Sequence, residues 1–142
     1  MTNEPSLSDL TRRHEMLQAG LDLLDQGITV FDGDLRLVAW NQTFLRLLDF
    51  PEALARVGTP FASFIRHNAE RGEYGPGDPE EHVQRINNLA LKFEAHRFER
   101  TRPGGRTHLV QGEPLYMDGQ LAGFITTYTD ITERNQAEER MR

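Results

Sequence analysis

The spacing of apolar residues changes repeatedly along this chain, and the order of the changes restricts the fold more than any other feature. Before Gly27, apolar residues recur every three or four positions, which is the period of a helix; after it they alternate with polar residues, which is the period of a strand. Helical spacing returns after Asn41, and alternation returns from His96 to Thr129. The pattern predicts a helix, two strands, several short helices, three strands and a final helix.

The first predicted helix carries one narrow apolar stripe. Its members are spaced by 3, 4, 3, 4 and 3 positions: Leu7, Leu10, His14, Leu17, Leu21 and Leu24. Ser6 with Asp9 is typical of a capping box at the start, and Gly27 is expected to stop the helix. So narrow a stripe favours pairing with a second helix, although packing on the chain's own domain is the alternative. We therefore expect residues 1–26 to form a dimerisation helix, with the interface at Leu10, Leu17, Leu21 and Leu24.

Short turns predict two hairpins and one irregular loop. Asp32-Gly33-Asp34 separates the alternating segments 28–31 and 35–40, and Asp118-Gly119 separates the last two strands. The segment 72–77 is too rich in glycine for regular structure and predicts an ordered loop.

Capping residues mark where the later helices begin. Asn41 is the expected cap of the helix after the first hairpin. Thr59-Pro60 and Asp78-Pro79 each combine a capping residue with a proline suited to the first helical position. Asp130, followed three residues later by Glu133, predicts a capping box for the last helix.

The register of the middle strand in the C-terminal group has two solutions. A three-residue loop before it sets Phe98 opposite Val110 and turns His108 inward, whereas a two-residue loop sets Phe98 opposite Leu109. We favour the first by a small margin. It requires a bulge near Pro114 if the following turn has two residues.

The composition argues against several kinds of partner. At 142 residues the chain fits one domain, and its net charge of −6 lacks the basic face that a nucleic acid requires. Without cysteine it has no disulfide, thiolate metal site or thiol nucleophile. We find no signal peptide and no apolar run of the roughly 20 residues that span a bilayer. We therefore expect no membrane contact and a cytoplasmic location.

Enzymatic motifs are also missing from the sequence. It has no metal-binding pair of histidines on a helix, no nucleophile elbow and no phosphate loop. Ser63 and His67 stand four residues apart, but no third group completes a catalytic set. We expect neither catalysis nor a metal site.

The element order predicts an α+β domain in which a five-stranded antiparallel sheet carries short helices on one face. This order, together with Val38-Ala39-Trp40-Asn41 and Asp130-Ile131-Thr132-Glu133-Arg134, resembles the PAS family of sensory domains over about residues 20–135. The stretch Asn68 to Asp78 is similar to a PAS subgroup of bacterial sensor histidine kinases. The resemblance implies a PAS core at 27–130, after the N-terminal amphipathic helix, and the start of a C-terminal signalling helix at 131–142.

In the PAS family the exit motif couples the last strand to a helix that drives an effector. The resemblance therefore implies a sensory and dimerisation module of a bacterial signal-transduction protein. Its partners would be a second copy of the chain, a possible small-molecule ligand and a C-terminal effector such as a histidine kinase. Asp130, Thr132 and Glu133 would couple the signal. A ligand-free structural module for dimerisation or protein docking is one alternative, and a haem-based gas sensor is another.

PAS domains hold ligands between the inner face of the sheet and the helices. On that basis, and by alternation along the strands, nine residues are expected at a ligand site: Phe44, Ile65, Ile86, His96, Phe98, Val110, Phe124, Thr126 and Tyr128. Such an apolar cavity with a few polar groups suits a small organic molecule. A core filled by these aromatic side chains is the alternative.

No cofactor is assigned from the sequence. The flavin photochemistry of light-sensing relatives needs a cysteine, which this chain lacks. His82 lies on the helix that carries a haem ligand in some relatives, but we expect it to be solvated because it stands in the first turn.

Overall fold

The structure, a computed structural model, describes residues 4–142, and its elements follow the predicted order. Residues 1–3 of the predicted dimerisation segment lie outside the described residues. The helices are α1 (Leu7–Asp22), α2 (Gln42–Leu48), α3 (Phe61–Glu70), α4 (Pro79–Ala90) and α5 (Thr132–Arg140), with a 3-10 turn at Glu52–Leu54. The strands are β1 (Gly27–Asp32), β2 (Leu37–Trp40), β3 (His96–Thr101), β4 (Thr107–Met117) and β5 (Gln120–Asp130).

The strands form one antiparallel sheet in the order β2-β1-β5-β4-β3, which confirms the predicted α+β class. The first and last strands are neighbours at its centre, and Gly27 at the start of β1 pairs with Tyr128 near the end of β5. Gln26 donates to the Thr129 hydroxyl at 2.8 Å. The chain therefore enters and leaves the sheet at the same end.

The predicted start of α1 is confirmed, but its predicted end is wrong. Ser6 Oγ accepts the Asp9 N–H at 3.2 Å, and Asp9 accepts the Ser6 N–H in return at 3.4 Å. The helix ends at Asp22, and Gly27 is instead the buried first residue of β1. A Cβ at Gly27 would lie 2.8 Å from Phe44 Cα, so glycine is needed for the close approach of α2.

Both predicted hairpins form, with one difference in length. Asp118 and Gly119 have φ of 52° and 77°, as a type I′ turn requires. In the first hairpin Leu35 takes a φ of 56°, so β2 begins at Leu37 and not at Leu35. The Asp32 carboxylate accepts two backbone N–H groups of this turn, which holds the longer loop in place.

The favoured register of β4 is the one observed. Phe98 stands opposite Val110, and a bulge lies between Leu115 and Tyr116. The bulge offsets the two-residue turn that follows, so Val110 and His108 both lie on the inner face of the sheet.

The predicted caps of α2 and α4 are confirmed, and that of α3 is wrong. Asn41 accepts the Phe44 N–H at 3.1 Å, and Asp78 accepts an N–H of the first turn of α4. At α3 the cap position is Pro60, because the Thr59 hydroxyl donates backwards to a carbonyl oxygen at 2.9 Å.

The hydrophobic core lies mainly over β1 and β2. Its buried members come from these strands, from α2 and α3, and from the segment between the two helices: Phe31, Leu37, Phe44, Leu45, Leu48, Phe50 and Phe64. A smaller cluster of Ile65, Ala69 and Val83 joins α3 to α4. The other half of the sheet, made by β3 and β4, is left less densely covered.

Candidate functional site: a cavity over β3, β4 and β5

Strand pairing arranges the inner face of β3, β4 and β5 as rows of directly opposed residues. The three rows are Arg100–His108–Asp130, Phe98–Val110–Tyr128 and His96–Gly112–Thr126. The first row is ionisable, the second apolar or aromatic, and the third has a glycine at its centre. The face therefore changes from charged to apolar over a few ångströms.

A cavity of about 530 Å³ lies between these rows and helices α3 and α4. Its volume falls in the range of natural small-molecule pockets. All nine residues named from the sequence contribute to its wall: Phe44, Ile65, Ile86, His96, Phe98, Val110, Phe124, Thr126 and Tyr128. Burial raises the pKa of Tyr128 to about 12, so its hydroxyl is a neutral hydrogen-bonding group at physiological pH.

The opening of the cavity lies beside the edge strand β3. Phe98 lines the cavity yet keeps 47% of its surface exposed. Other wall residues between the end of α4 and β3 are exposed as well. On the same side, the rings of the exposed His96 and the half-buried Phe124 stack 5.3 Å apart over Gly112. A Cβ at Gly112 would lie 2.4 Å from Phe124, so the stack requires glycine there.

One end of the cavity is formed by a charged group that the sequence analysis did not name. The Glu73 side chain is only 6% exposed, and its carboxylate lies 3.3 Å from Arg71 Nε, 3.1 Å from Arg100 Nη2 and 2.7 Å from Arg102 Nη2. We call these four residues the Arg–Glu cluster. Burial opposes ionisation of Glu73, but hydrogen bonds and attraction from the arginines lower its pKa below the ordinary value.

Two contacts fix the cluster against the helices. Arg102 Nη1 donates to the Leu47 carbonyl at 2.9 Å, and the Arg100 guanidinium lies 4.8 Å from the centre of the Tyr74 ring. The alternation that turns His96 and Phe98 inward applies equally to Arg100, so that residue was predictable. Its pairing with a glutamate 27 residues away in a loop was not.

His108 connects this end of the cavity to the exit helix. Its side chain is 2% exposed, and its Nε2 lies 4.0 Å from Asp130 Oδ2. Burial lowers the pKa of His108, and the nearby Asp130 opposes that effect. His108 is therefore a neutral wall residue in contact with the last residue of β5.

Asp130 anchors the start of α5 in a way that differs from the predicted cap. The cap position is Ile131, which has no capping side chain, and Glu133 is exposed. Asp130 Oδ1 accepts the Thr132 N–H at 2.9 Å and the Thr132 hydroxyl at 2.6 Å, while Oδ2 accepts Arg106 at 2.7 Å. Burial opposes ionisation of Asp130, but Thr132 and Arg106 lower its pKa below the ordinary value.

His82 was expected to be solvated, and the structure shows that this is wrong. The loop before α4 folds back over it, so His82 is buried, with Nε2 3.2 Å from the Pro76 carbonyl oxygen and Nδ1 2.9 Å from Arg85. Gly77 has a φ of 128°, and a Cβ there would lie 3.1 Å from His82 Nε2. The histidine is thus part of the packing of the loop.

The α1 residues named for dimerisation lie on a largely uncovered helix. Leu10 and Leu17 are 48% and 70% exposed, and no residue of α1 is buried. Polar contacts fix the end of the helix nearest the sheet: Gln18 donates to the Trp40 carbonyl at 2.9 Å, and Asn41 donates to the Leu21 carbonyl at 2.7 Å. The apolar stripe therefore has few partners within the chain.

Two other kinds of site are absent from residues 4–142. No three histidine, aspartate or glutamate side chains in this range converge in a metal-binding arrangement. No helix in it combines the length and apolar character that a bilayer crossing needs.

A family model described as PAS fold matches residues 21–139. The PAS domain of Bordetella pertussis BvgS is 18% identical, with a TM-score of 0.64 over 92% of this chain and 94% of that one. The PAS domain of an HTR-like protein from Haloarcula marismortui is 20% identical, with a TM-score of 0.51 over 87% and 96%.

The sensor region of a sensor histidine kinase is 19% identical, with a TM-score of 0.53 over 77% of this chain and 40% of that one. No curated protein matches the sequence. The solved structures share the fold, and the family model spans most of the chain. The protein belongs to the PAS family and is a PAS sensory domain.

Proposed function

We propose that this domain senses a small organic molecule in the cavity and relays its presence through α5 to an effector such as a histidine kinase. The observation that carries the proposal is the continuity of the site with the exit helix. His108 belongs to the cavity wall and contacts Asp130, which in turn holds Thr132 in the first turn of α5. The role is regulatory and not catalytic.

The relay follows from the row Arg100–His108–Asp130. A ligand that contacts the first two residues acts on the strand that ends at the third. Asp130 has two partners, Arg106 on one oxygen and Thr132 on the other, so a shift of β4 against β5 changes both contacts. A ligand moves that equilibrium only by its differential affinity for the two arrangements, and about 5.5 kcal/mol converts a 1:99 population into 99:1.

Dimerisation through α1 is the second part of the proposal. The exposed leucines Leu10 and Leu17, with Leu21, form a seam on α1 suited to a second copy of the same helix, and Leu24 lies just beyond the end of that helix. We take residues 1–26 as the dimerisation segment, 27–130 as the sensory core and 131–142 as the start of the output helix.

The cavity favours a ligand-binding role over a structural module with a filled core. The aromatic core lies over β1 and β2, so the large side chains that were candidates to fill the pocket line it instead. The haem alternative has less support, because both ring nitrogens of His82 face protein partners.

Native mass spectrometry of the purified protein, before and after gentle denaturation, tests ligand binding directly. We expect a bound small molecule that is released on denaturation. Hydrogen exchange of α5 with and without that molecule then tests the relay. Ligand should change exchange in the wild type and not in Asp130→Asn, while Asp118→Asn, in the distant hairpin turn, serves as the matched control. A ligand-free protein whose cavity is closed in a crystal would contradict the proposal.

A further inference from the structure

The cavity carries positive charge although the chain as a whole has a net charge of −6. In the Arg–Glu cluster three guanidinium groups face one carboxylate, which leaves an excess of positive charge at one end of the site that Asp49, near Arg71, offsets only in part. Arg71, the third arginine, is held by carbonyl oxygens at the end of α2 and by Asn68. The two that line the cavity are Arg100 and Arg102.

Arg100 is the member that can bind a ligand. Arg102 is occupied, since its Nε and Nη2 donate to Glu73 and its Nη1 to the Leu47 carbonyl. Both hydrogen bonds of Arg100 within residues 4–142 start from Nη2. Its Nε–H and Nη1 have no hydrogen-bond partner there. Because Cδ lies between them they do not form a parallel pair, and each can donate a separate charge-assisted hydrogen bond to an anion.

The position of Arg100 is fixed before any ligand arrives. Glu73 holds one nitrogen, and the Tyr74 ring lies against the guanidinium plane. The Tyr74 hydroxyl is itself held by Asn68 at 3.1 Å. A preorganised guanidinium loses little conformational entropy on binding, which favours affinity.

We propose that the ligand is an organic carboxylate whose charged group pairs with Arg100 and whose apolar body lies along Phe98, Val110 and Phe124. This rests on the proposed ligand-binding function of the same cavity. The excess positive charge of the cluster is costly beside an apolar wall, and an anion compensates it where a neutral ligand does not. The adjacent apolar row begins at Phe98, two residues from Arg100 on the same face of β3, so a short linear or aromatic acid spans both regions.

Calorimetric titration of the full chain with matched acids and amides tests the charge requirement. The probes are phenylacetate against phenylacetamide and octanoate against octanamide. We expect each acid to bind at least tenfold more tightly than its amide. Arg100→Gln should remove that preference while leaving amide binding unchanged.

Arg97→Gln is the matched control, because Arg97 is exposed on the opposite face of the same strand. It should keep the tenfold preference. Arg100→Lys keeps the charge but replaces the guanidinium donors with one ammonium group, so it should retain only part of the preference. It replaces Arg100→Gln if that variant fails to fold.

The outcomes separate this inference from the proposed function. Equal binding of acid and amide, or equal losses in the Arg97 and Arg100 variants, overturns the carboxylate inference and leaves a ligand-binding cavity. Failure of every probe to bind, together with a ligand-free protein in native mass spectrometry, overturns both.

Discussion

His108 on β4 stands directly opposite Asp130 on β5, with its Nε2 4.0 Å from a carboxylate oxygen. The pair joins the wall of the cavity to the residue that holds the start of α5. Because burial lowers the pKa of His108, the pair is a neutral imidazole beside a carboxylate and not an ion pair at neutral pH.

His108 contributes to the pH dependence of stability. Burial lowers the pKa of His108, Asp130 opposes that shift, and Arg102, Arg100 and Arg106 add to it. The unfolded chain therefore takes up a proton at His108 before the folded chain does. The contribution of His108 to the free energy of unfolding is complete above its pKa in the unfolded chain, about 6.5. That contribution is lost as the pH falls from there to the lower pKa of His108 in the folded chain.

His108→Gln should accordingly flatten the decline of unfolding free energy below about pH 6.5. Urea unfolding at a series of pH values measures it. Identical slopes in the wild type and His108→Gln would show that the histidine is not the responsible group.

Asp130→Asn should loosen the first turn of α5. The substitution keeps the size of the side chain but weakens charge-assisted hydrogen bonds to Thr132 and Arg106. We expect a loss of about 1–3 kcal/mol in unfolding free energy and faster hydrogen exchange in α5. Because its pKa is lowered by Thr132 and Arg106 despite burial, the difference from wild type should shrink as the pH falls below about 4. Unchanged exchange in α5 would contradict the anchoring role.

Gly112→Ala should disturb the part of the cavity wall where His96 stacks on Phe124. The added methyl would lie 2.4 Å from Phe124 and 2.6 Å from His96, so their stack must open into the space that a ligand would use. We expect a cost of about 1–3 kcal/mol and weaker binding of any cavity ligand. Gly33→Ala, with open space around its Cβ, is the control for glycine replacement. Equal stability of the two variants would mean that the stack moves freely.

The leucine stripe of α1 should control oligomeric state. Leu10→Glu with Leu17→Glu places two charges on the exposed seam and should convert a dimer into a monomer in sedimentation equilibrium. Met16→Glu, on another exposed face of α1, should leave the dimer intact. A double variant that remains dimeric would place the interface elsewhere.

Most of the fold was predictable because each helix, strand and turn has a recognisable local sequence pattern. Alternation places Phe124 and Tyr128 on one face, and Asp118-Gly119 sets a hairpin whose backbone twist matches its strands. Local sequence barely distinguished the two possible registers of β4, because the bulge after Leu115 that decides between them has no distinctive sequence.

The charged end of the site was not predictable in the same way. Glu73 lies in a glycine-rich loop, and its partners Arg100 and Arg102 are on a strand far along the chain. The same loop covers His82, which was therefore expected to be solvated. Contacts of this kind depend on how a loop folds onto a sheet, and neither periodicity nor capping rules describe that step.

The neighbouring ends of β1 and β5, tied by Gln26 and Thr129, have a consequence for how such a domain is used. Because the chain enters the sheet through β1 and leaves it through the adjacent β5, the ends of the sensory core lie close together. The core therefore projects to one side of the helices that precede and follow it. Insertion of such a branch leaves the spacing of the flanking helices nearly unchanged. A change in the twist between β1 and β5 would then rotate α5 relative to α1.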